Sequence, residues 1–133
     1  MGSQTIKKLV LDTNILLRLV VGDVKKQQQI AIDLFLQAEK GEIILIIHPV
    51  VLAEVCFVLS TFYDKSDKEV SDMMEALLTP SWLEIEHRKA LSGMWRWYSE
   101  GMHFVDSYLL ALEKYEGVEM ISFDKKLNKK RSK

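Results

Sequence analysis

Four carboxylates, Asp12, Glu54, Asp106 and Asp124, stand within or at the ends of strongly apolar segments: Leu9-Val10-Leu11-Asp12, Val51-Leu52-Ala53-Glu54-Val55, Phe104-Val105-Asp106 and Met120-Ile121-Ser122-Phe123-Asp124. Acids are rarely buried unless they are paired or bound to a metal, so this pattern implies a shared positive partner. Oxygen donors without convergent His or Cys favour Mg²⁺ or Mn²⁺ and disfavour zinc. Two such ions about 4 Å apart lower the pKa of an attacking water and stabilise the leaving oxygen of a phosphodiester. Covalent nucleophile chemistry fits less well. Cys56 and the three histidines, His48, His87 and His103, show no paired arrangement, and there is no Gly-rich phosphate loop.

Each acid also has a plainer reading. Asp12 and Asp124 can cap the helices that follow them, and Asp106 can sit favourably near a helix N-terminus. Glu54 falls too far inside its helix to cap it, so an ion pair with Arg18 or another base is its ordinary alternative. All four together favour the metal site.

The elements that must position these residues alternate. Ile6 to Leu11 reads as a buried strand, with Thr13-Asn14 capping a helix that carries Ile15, Leu16, Leu19 and Val20 and ends at Gly22-Asp23. An amphipathic helix follows from about Lys25 to Glu39, then a strand from Ile43 to Ile47. Pro49 suits the first turn of the next helix, which contains Glu54. A helix over 67–78, a short strand from Trp82 to Ile85, a helix over about 88–99 and another from His103 to Glu113 come next. Glu119 to Ser122 reads as a last strand leading into a basic helix. The fold class is therefore α/β: a central, mostly parallel sheet of four to five short strands flanked by about seven helices. Functional crevices in such sheets lie beyond the carboxyl ends of the strands, where Asp12 and Asp124 fall and over which Glu54 and Asp106 can lean.

The 133 residues suit one domain spanning 1–133, and 48% hydrophobic with 28% charged residues describes a soluble globular chain. The lone Cys56 cannot make an internal disulfide and no signal peptide is evident, so a cytoplasmic location is expected. The apolar run 43–62 is split by Pro49 and carries Glu54, which argues against a membrane span. The net charge of -1 is unevenly spread. Residues 125–133 hold six of the 18 basic side chains, leaving 12 basic against 19 acidic elsewhere. With four acids bound to metal, the remaining charge turns weakly positive and compatible with a nucleic acid. The tail over 125–133 is expected to be basic and frayed at its end. Trp95 shares a helical stripe with Leu91 and Tyr98 and should be core, whereas Trp97 and Arg96 should point outward, towards RNA or a protein partner.

The run Leu11-Asp12-Thr13-Asn14-Ile15-Leu16-Leu17-Arg18, then Val51-Leu52-Ala53-Glu54, Phe104-Val105-Asp106 and Ser122-Phe123-Asp124, resembles the PIN-domain ribonucleases, most closely the VapC-type toxins of toxin-antitoxin pairs. The likeness runs from about Lys8 to Lys129. It implies an Mg²⁺- or Mn²⁺-dependent endoribonuclease with Asp12, Glu54, Asp106 and Asp124 as its acidic cluster. Asn14 and Ser122 match positions that support the acids or metal-bound water by hydrogen bonds. It further implies a homodimer and an antitoxin that buries the groove, with the helices over 25–39 and 49–62 as candidate contacts. Lys125, Lys126 and Lys129 are candidate RNA contacts. Two positions depart from the pattern: His48 replaces a Ser or Thr cap, and His103 replaces an additional acid, which points to a weaker second metal site.

Two rivals have distinct signatures. A phosphoacceptor receiver domain needs adjacent acids after its first strand, where this chain has Asp12-Thr13-Asn14. A PIN-like RNA-processing nuclease, or a module that binds RNA or protein without cutting, would keep the fold outside a toxin-antitoxin pair.

Overall fold

A computed structural model describes residues 5–131. Strands β1 (Lys7–Val10) and β2 (Ile43–Ile47) pair in parallel, with Lys7 opposite Ile43 and Val10 opposite Ile46. The short β3 (Glu84–Ile85) pairs in parallel with the far end of β2, giving the order β1-β2-β3. The central strand is the most deeply buried, with Leu45 and Ile47 inaccessible to solvent. Burial of each such side chain contributes about 1.5–3 kcal/mol, against about 1 kcal/mol net for a ladder hydrogen bond, so packing more than pairing holds β2 in place.

Helices α1 (Thr13–Val21) and α2 (Lys25–Glu39) connect β1 to β2. Between β2 and β3 run α3 (Pro49–Thr61) and α4 (Asp67–Leu77), the latter opened by a reciprocal capping box between Ser66 and Glu69. Arg88 donates to the carbonyls of Leu78, Pro80 and Leu83, tying the loop before β3 to the next helix. After β3 come α5 (Arg88–Gly93), the single turn α6 (Trp95–Tyr98), α7 (Phe104–Glu116) and α8 (Lys125–Arg131). Leu16, Leu52, Leu59, Met74, Leu91 and Trp95 form the centre of the core.

Several expectations are corrected. The sheet has three strands among the described residues, not four to five, and the expected 88–99 helix breaks at Met94 into α5 and α6. The expected strand over 119–122 does not form. Gly117 caps α7 in the left-handed conformation (φ 71°), and side chains take up backbone groups beyond it at Met120 and Ser122. The Met120 N–H donates to Glu113 at 2.8 Å, and the Ser122 carbonyl accepts from Asn128 at 2.9 Å. Ile121 is left 92% exposed and Phe123 fully so. Trp97, expected outside, is only 7% exposed: one turn of helix between bends lets its ring tilt against Tyr115, while the exposed Arg96 lies over its face at 4.8 Å. The basic tail is helical to Arg131 and docked by the buried Leu127, and residues 132–133 lie outside the described residues. No helix among the described residues is long and apolar enough to cross a membrane.

Candidate functional site

Because β1 and β2 are parallel, their carboxyl ends share one edge of the sheet. Leu11 extends this pairing by donating to the Ile46 carbonyl at 3.0 Å, so Asp12 leaves the sheet at that edge. Asp12 is extended (φ -86°, ψ 174°), and its Oδ1 accepts from the Ile15 N–H at 3.0 Å. It, and not Thr13 or Asn14, is the cap of α1. Asn14 is exposed, and its side chain has no hydrogen-bond partner among the described residues.

On the neighbouring strand, His48 ends β2 and caps α3 with its own ring: Nδ1 accepts from the Val50 N–H at 3.2 Å. An imidazole thus does what a Ser or Thr hydroxyl does at other helix starts. Glu54 lies six residues further, about 9 Å along α3 at 1.5 Å per residue. The 3.6-residue period puts it on one outward stripe with Val50, Phe57 and Thr61, all exposed. Its ordinary alternative fails, because Arg18 pairs with Asp23 at 2.6 Å and with the Tyr63 hydroxyl at 3.3 Å. The Tyr63 hydroxyl first, and then Arg18, hold the Asp23 carboxyl below its usual range. Glu54 makes no hydrogen bond or ion pair among the described residues.

Asp106 sits in the first turn of α7, half-exposed, where the helix dipole favours a negative charge. It likewise has no hydrogen-bond partner among the described residues. A groove between α3 and the start of α7 is walled by Ala53, Phe57 and Ser60 on one side and by His103, Phe104 and Val105 on the other; neither Glu54 nor Asp106 lines it. Asp124 is exposed, and its Oδ1 accepts from Lys126 and Leu127 N–H groups at 2.9 and 3.0 Å, capping α8. Ser122 Oγ accepts from the Asp124 backbone N–H at 3.0 Å, a contact to the main chain and not to the carboxylate. Lys125 and Lys126 follow, exposed and without an ion pair among the described residues, and Lys129 is exposed on the next turn.

The premise that these acids are buried is therefore corrected: Asp12, Glu54 and Asp124 are exposed and Asp106 is half-exposed. A residue that interrupts an apolar run on a helix or at a strand end faces outward when the run itself faces in. Nor does the structure draw the acids into a cage. Among the described residues, no three His, Cys, Asp or Glu side chains are grouped as a metal ion would require. The donor chemistry still fits a hard divalent cation, since every donor is a carboxylate oxygen and Asp12 and Asp124 each cap through Oδ1 alone, leaving Oδ2 free.

Neither Glu113 nor Arg131 stands out in the sequence, yet they form a two-pronged ion pair between α7 and α8. Arg131 Nε and Nη2 donate to Glu113 Oε1 and Oε2 at 2.8 and 2.7 Å. Arg131 first, then the Met120 N–H, hold the Glu113 carboxyl down at about 2. Eighteen residues separate the pair, beyond any local sequence signal. The buried Cys56 is pushed up to about 12 by desolvation, which leaves it an inert thiol.

No curated protein and no solved structure matches the chain. A family model described as the PIN domain matches residues 9–133, which takes in all four acids, both strand-to-helix turns and α8. With that match over nearly the whole of an α/β fold built on parallel strands, the chain belongs to the PIN-domain family.

Proposed function

We propose that this protein is a divalent-metal-dependent endoribonuclease that uses Asp12, Glu54, Asp106 and Asp124 to hold Mg²⁺ or Mn²⁺. PIN domains are in general metal-dependent nucleases, and this chain is one of them. The observation that carries the reading is that all four acids are solvent-accessible and each keeps at least one carboxylate oxygen free of protein partners. Free oxygens are what a hard cation needs.

A bound divalent cation would supply an activated water and a counter-charge for the leaving oxygen. The chain's own residues do the rest. Asp12 and Asp124 are each fixed by a helix cap on one oxygen, which orients the other without side-chain search. Glu54 and Asp106, with both carboxylate oxygens free of protein partners among the described residues, can accept a proton from water or hold the cation. Ser122 fixes the backbone of Asp124. Lys125 and Lys126, directly after it, meet the phosphate backbone of a single strand.

The finer reading, a VapC-type toxin restrained by an antitoxin and acting as a homodimer in the cytoplasm, rests on the order of the four motifs. The exposed apolar side chains Ile30 and Leu36 on α2, and Val50 and Phe57 on α3, support a protein partner there. The lack of a grouped acidic site among the described residues favours one alternative, a PIN module that binds RNA or protein without cutting it.

The test is cleavage of a mixed RNA panel by wild type and Asp12→Asn protein, with Mg²⁺, with Mn²⁺ and with chelator. Metal-dependent products lost in the variant are expected. Folded wild type, free of any co-purified partner, that binds RNA but leaves it intact in every condition would replace the nuclease reading with the binding module.

A further inference from the structure

Asp106 and Glu113 are seven residues apart on α7, two turns, and therefore share a face of the helix. The first is a candidate metal ligand. The second is the centre of a chain of contacts that ends on another. Glu113 accepts two hydrogen bonds from Arg131 at the end of α8 and one from the Met120 N–H. Arg131 Nη1 also donates to Asn128 Oδ1 at 3.1 Å, and Asn128 Nδ2 donates to the Ser122 carbonyl at 2.9 Å. Ser122 Oγ in turn accepts from the Asp124 N–H, and Asp124 caps the helix that carries Arg131. The loop closes on itself.

This circuit takes the place of a sheet. Residues 118–123 have no strand partner among the described residues, and Leu127 is the one side chain of α8 that is buried. Beside the circuit, α8 is held by the buried Leu127 and by the approach of Lys130 to Glu100 at 4.0 Å. Bidentate Arg–carboxylate pairs are directional as well as strong, so they set an angle and not merely a distance. We propose that Glu113 and Arg131 form a positioning latch that holds Asp124 in register with Asp106 for metal-dependent RNA cleavage. The proposal rests on the nuclease reading above, and it concerns placement alone, since neither residue is assigned a contact with RNA or metal.

The competing explanation is that Arg131 is simply one more basic residue that attracts RNA. The two ideas separate cleanly because the partners carry opposite charges. Arg131→Gln removes a positive charge and Glu113→Gln a negative one, so an electrostatic role would move RNA affinity in opposite directions. A positioning role lowers kcat in both variants and leaves KM nearly unchanged. Arg131→Lys keeps the charge but not the two-pronged geometry, and it falls between wild type and Arg131→Gln.

The experiment measures kcat and KM for RNA cleavage with Mn²⁺ for wild type, Glu113→Gln, Arg131→Gln, Arg131→Lys and Asp124→Asn. In parallel, amide hydrogen exchange is followed at Lys126 and Leu127, whose N–H groups Asp124 caps, and at Leu45 in the central strand. Expected is a kcat about tenfold or more below wild type in both Gln variants, since small misplacements of catalytic groups are costly. Exchange at Lys126 and Leu127 should quicken about tenfold, while Leu45 stays protected and reports an intact fold. Wild type that cleaves while both Gln variants keep its kcat, or opposite KM shifts with equal kcat, or unchanged exchange at Lys126 and Leu127, overturns the latch alone. Wild type that cleaves nothing overturns the nuclease reading, and the latch's role falls with it.

Discussion

A carboxylate at a helix start can serve the helix and the chemistry at once, because it has two oxygens. Asp12 and Asp124 each cap through Oδ1 and keep Oδ2 open, so capping and metal binding are separate demands on one side chain. Asn caps as well as Asp but carries no charge, and Ala does neither. Asp12→Asn and Asp124→Asn should therefore unfold in urea within a few tenths of a kcal/mol of wild type, whereas Asp12→Ala and Asp124→Ala lose about 1 kcal/mol each. Both kinds of variant should lack metal-dependent cleavage. An Asn variant that loses as much stability as its Ala counterpart would mean that charge, not the cap, holds the helix start. Glu54 offers the contrast, since it caps nothing and pairs with nothing among the described residues, so its presence on an exposed stripe has no structural explanation.

Elements declare themselves in sequence when their own periodicity decides them, and fail to when a distant partner does. The strand Ile43–Ile47 and the helices starting at Lys25, Pro49 and Asp67 are legible because each buries a face written in its own residues. The segment 119–122 is not. Its apolar residues look like a strand, but Glu113 takes the Met120 N–H that a strand would give to a neighbour, and Arg131 fixes that Glu113 from 18 positions away. The candidate acids were legible as a set, through their order and contexts, while their exposure was not, since an acid in an apolar run can face either way. Close helix packing is equally silent in sequence. An added Cβ at Gly93 in α5 would stand 2.3 Å from Tyr115 Cε2 on α7. Alanine would gain up to about 1 kcal/mol in helix propensity, and overpacking costs about 1–3 kcal/mol, so the clash should win. Gly93→Ala should lower the urea midpoint, and the same change in a Tyr115→Ala background should be neutral or stabilising. A loss of equal size in both backgrounds would show that the ring is not the obstacle.

At the scale of the whole molecule, charge sets both the pH range of the fold and its approach to RNA. Glu113 titrates at about 2 when folded against an ordinary 4.5, so its contribution is complete above 4.5 and is lost as pH falls towards 2. Cys56 moves the other way, from 9.0 to about 12 through burial, so folding is favoured below 9.0 and loses that favour as pH rises towards 12. Tyr98 is shifted upwards by burial as well and adds to the alkaline decline. Urea midpoints should hold a plateau between pH 4.5 and 9.0 and fall on both sides; a Glu113→Gln variant should lose stability at neutral pH and show a shallower acid limb. The surface charge is polarised in sequence, with a net charge of -1 although residues 125–133 hold six of the 18 basic side chains. Within α8, Lys130 leans 4.0 Å from Glu100 and Arg131 is committed to Glu113, so Lys125 and Lys126 are the cations beside Asp124 that remain without an ion pair among the described residues. Each phosphate contact on single-stranded RNA contributes about 0.7 to the slope of log affinity against log salt. Replacing both lysines with Gln in the Asp12→Asn background, where RNA stays intact, should flatten that slope by about 1.4 while leaving the fold unchanged. An unflattened slope would place the RNA path away from the start of α8, and with it away from Asp124.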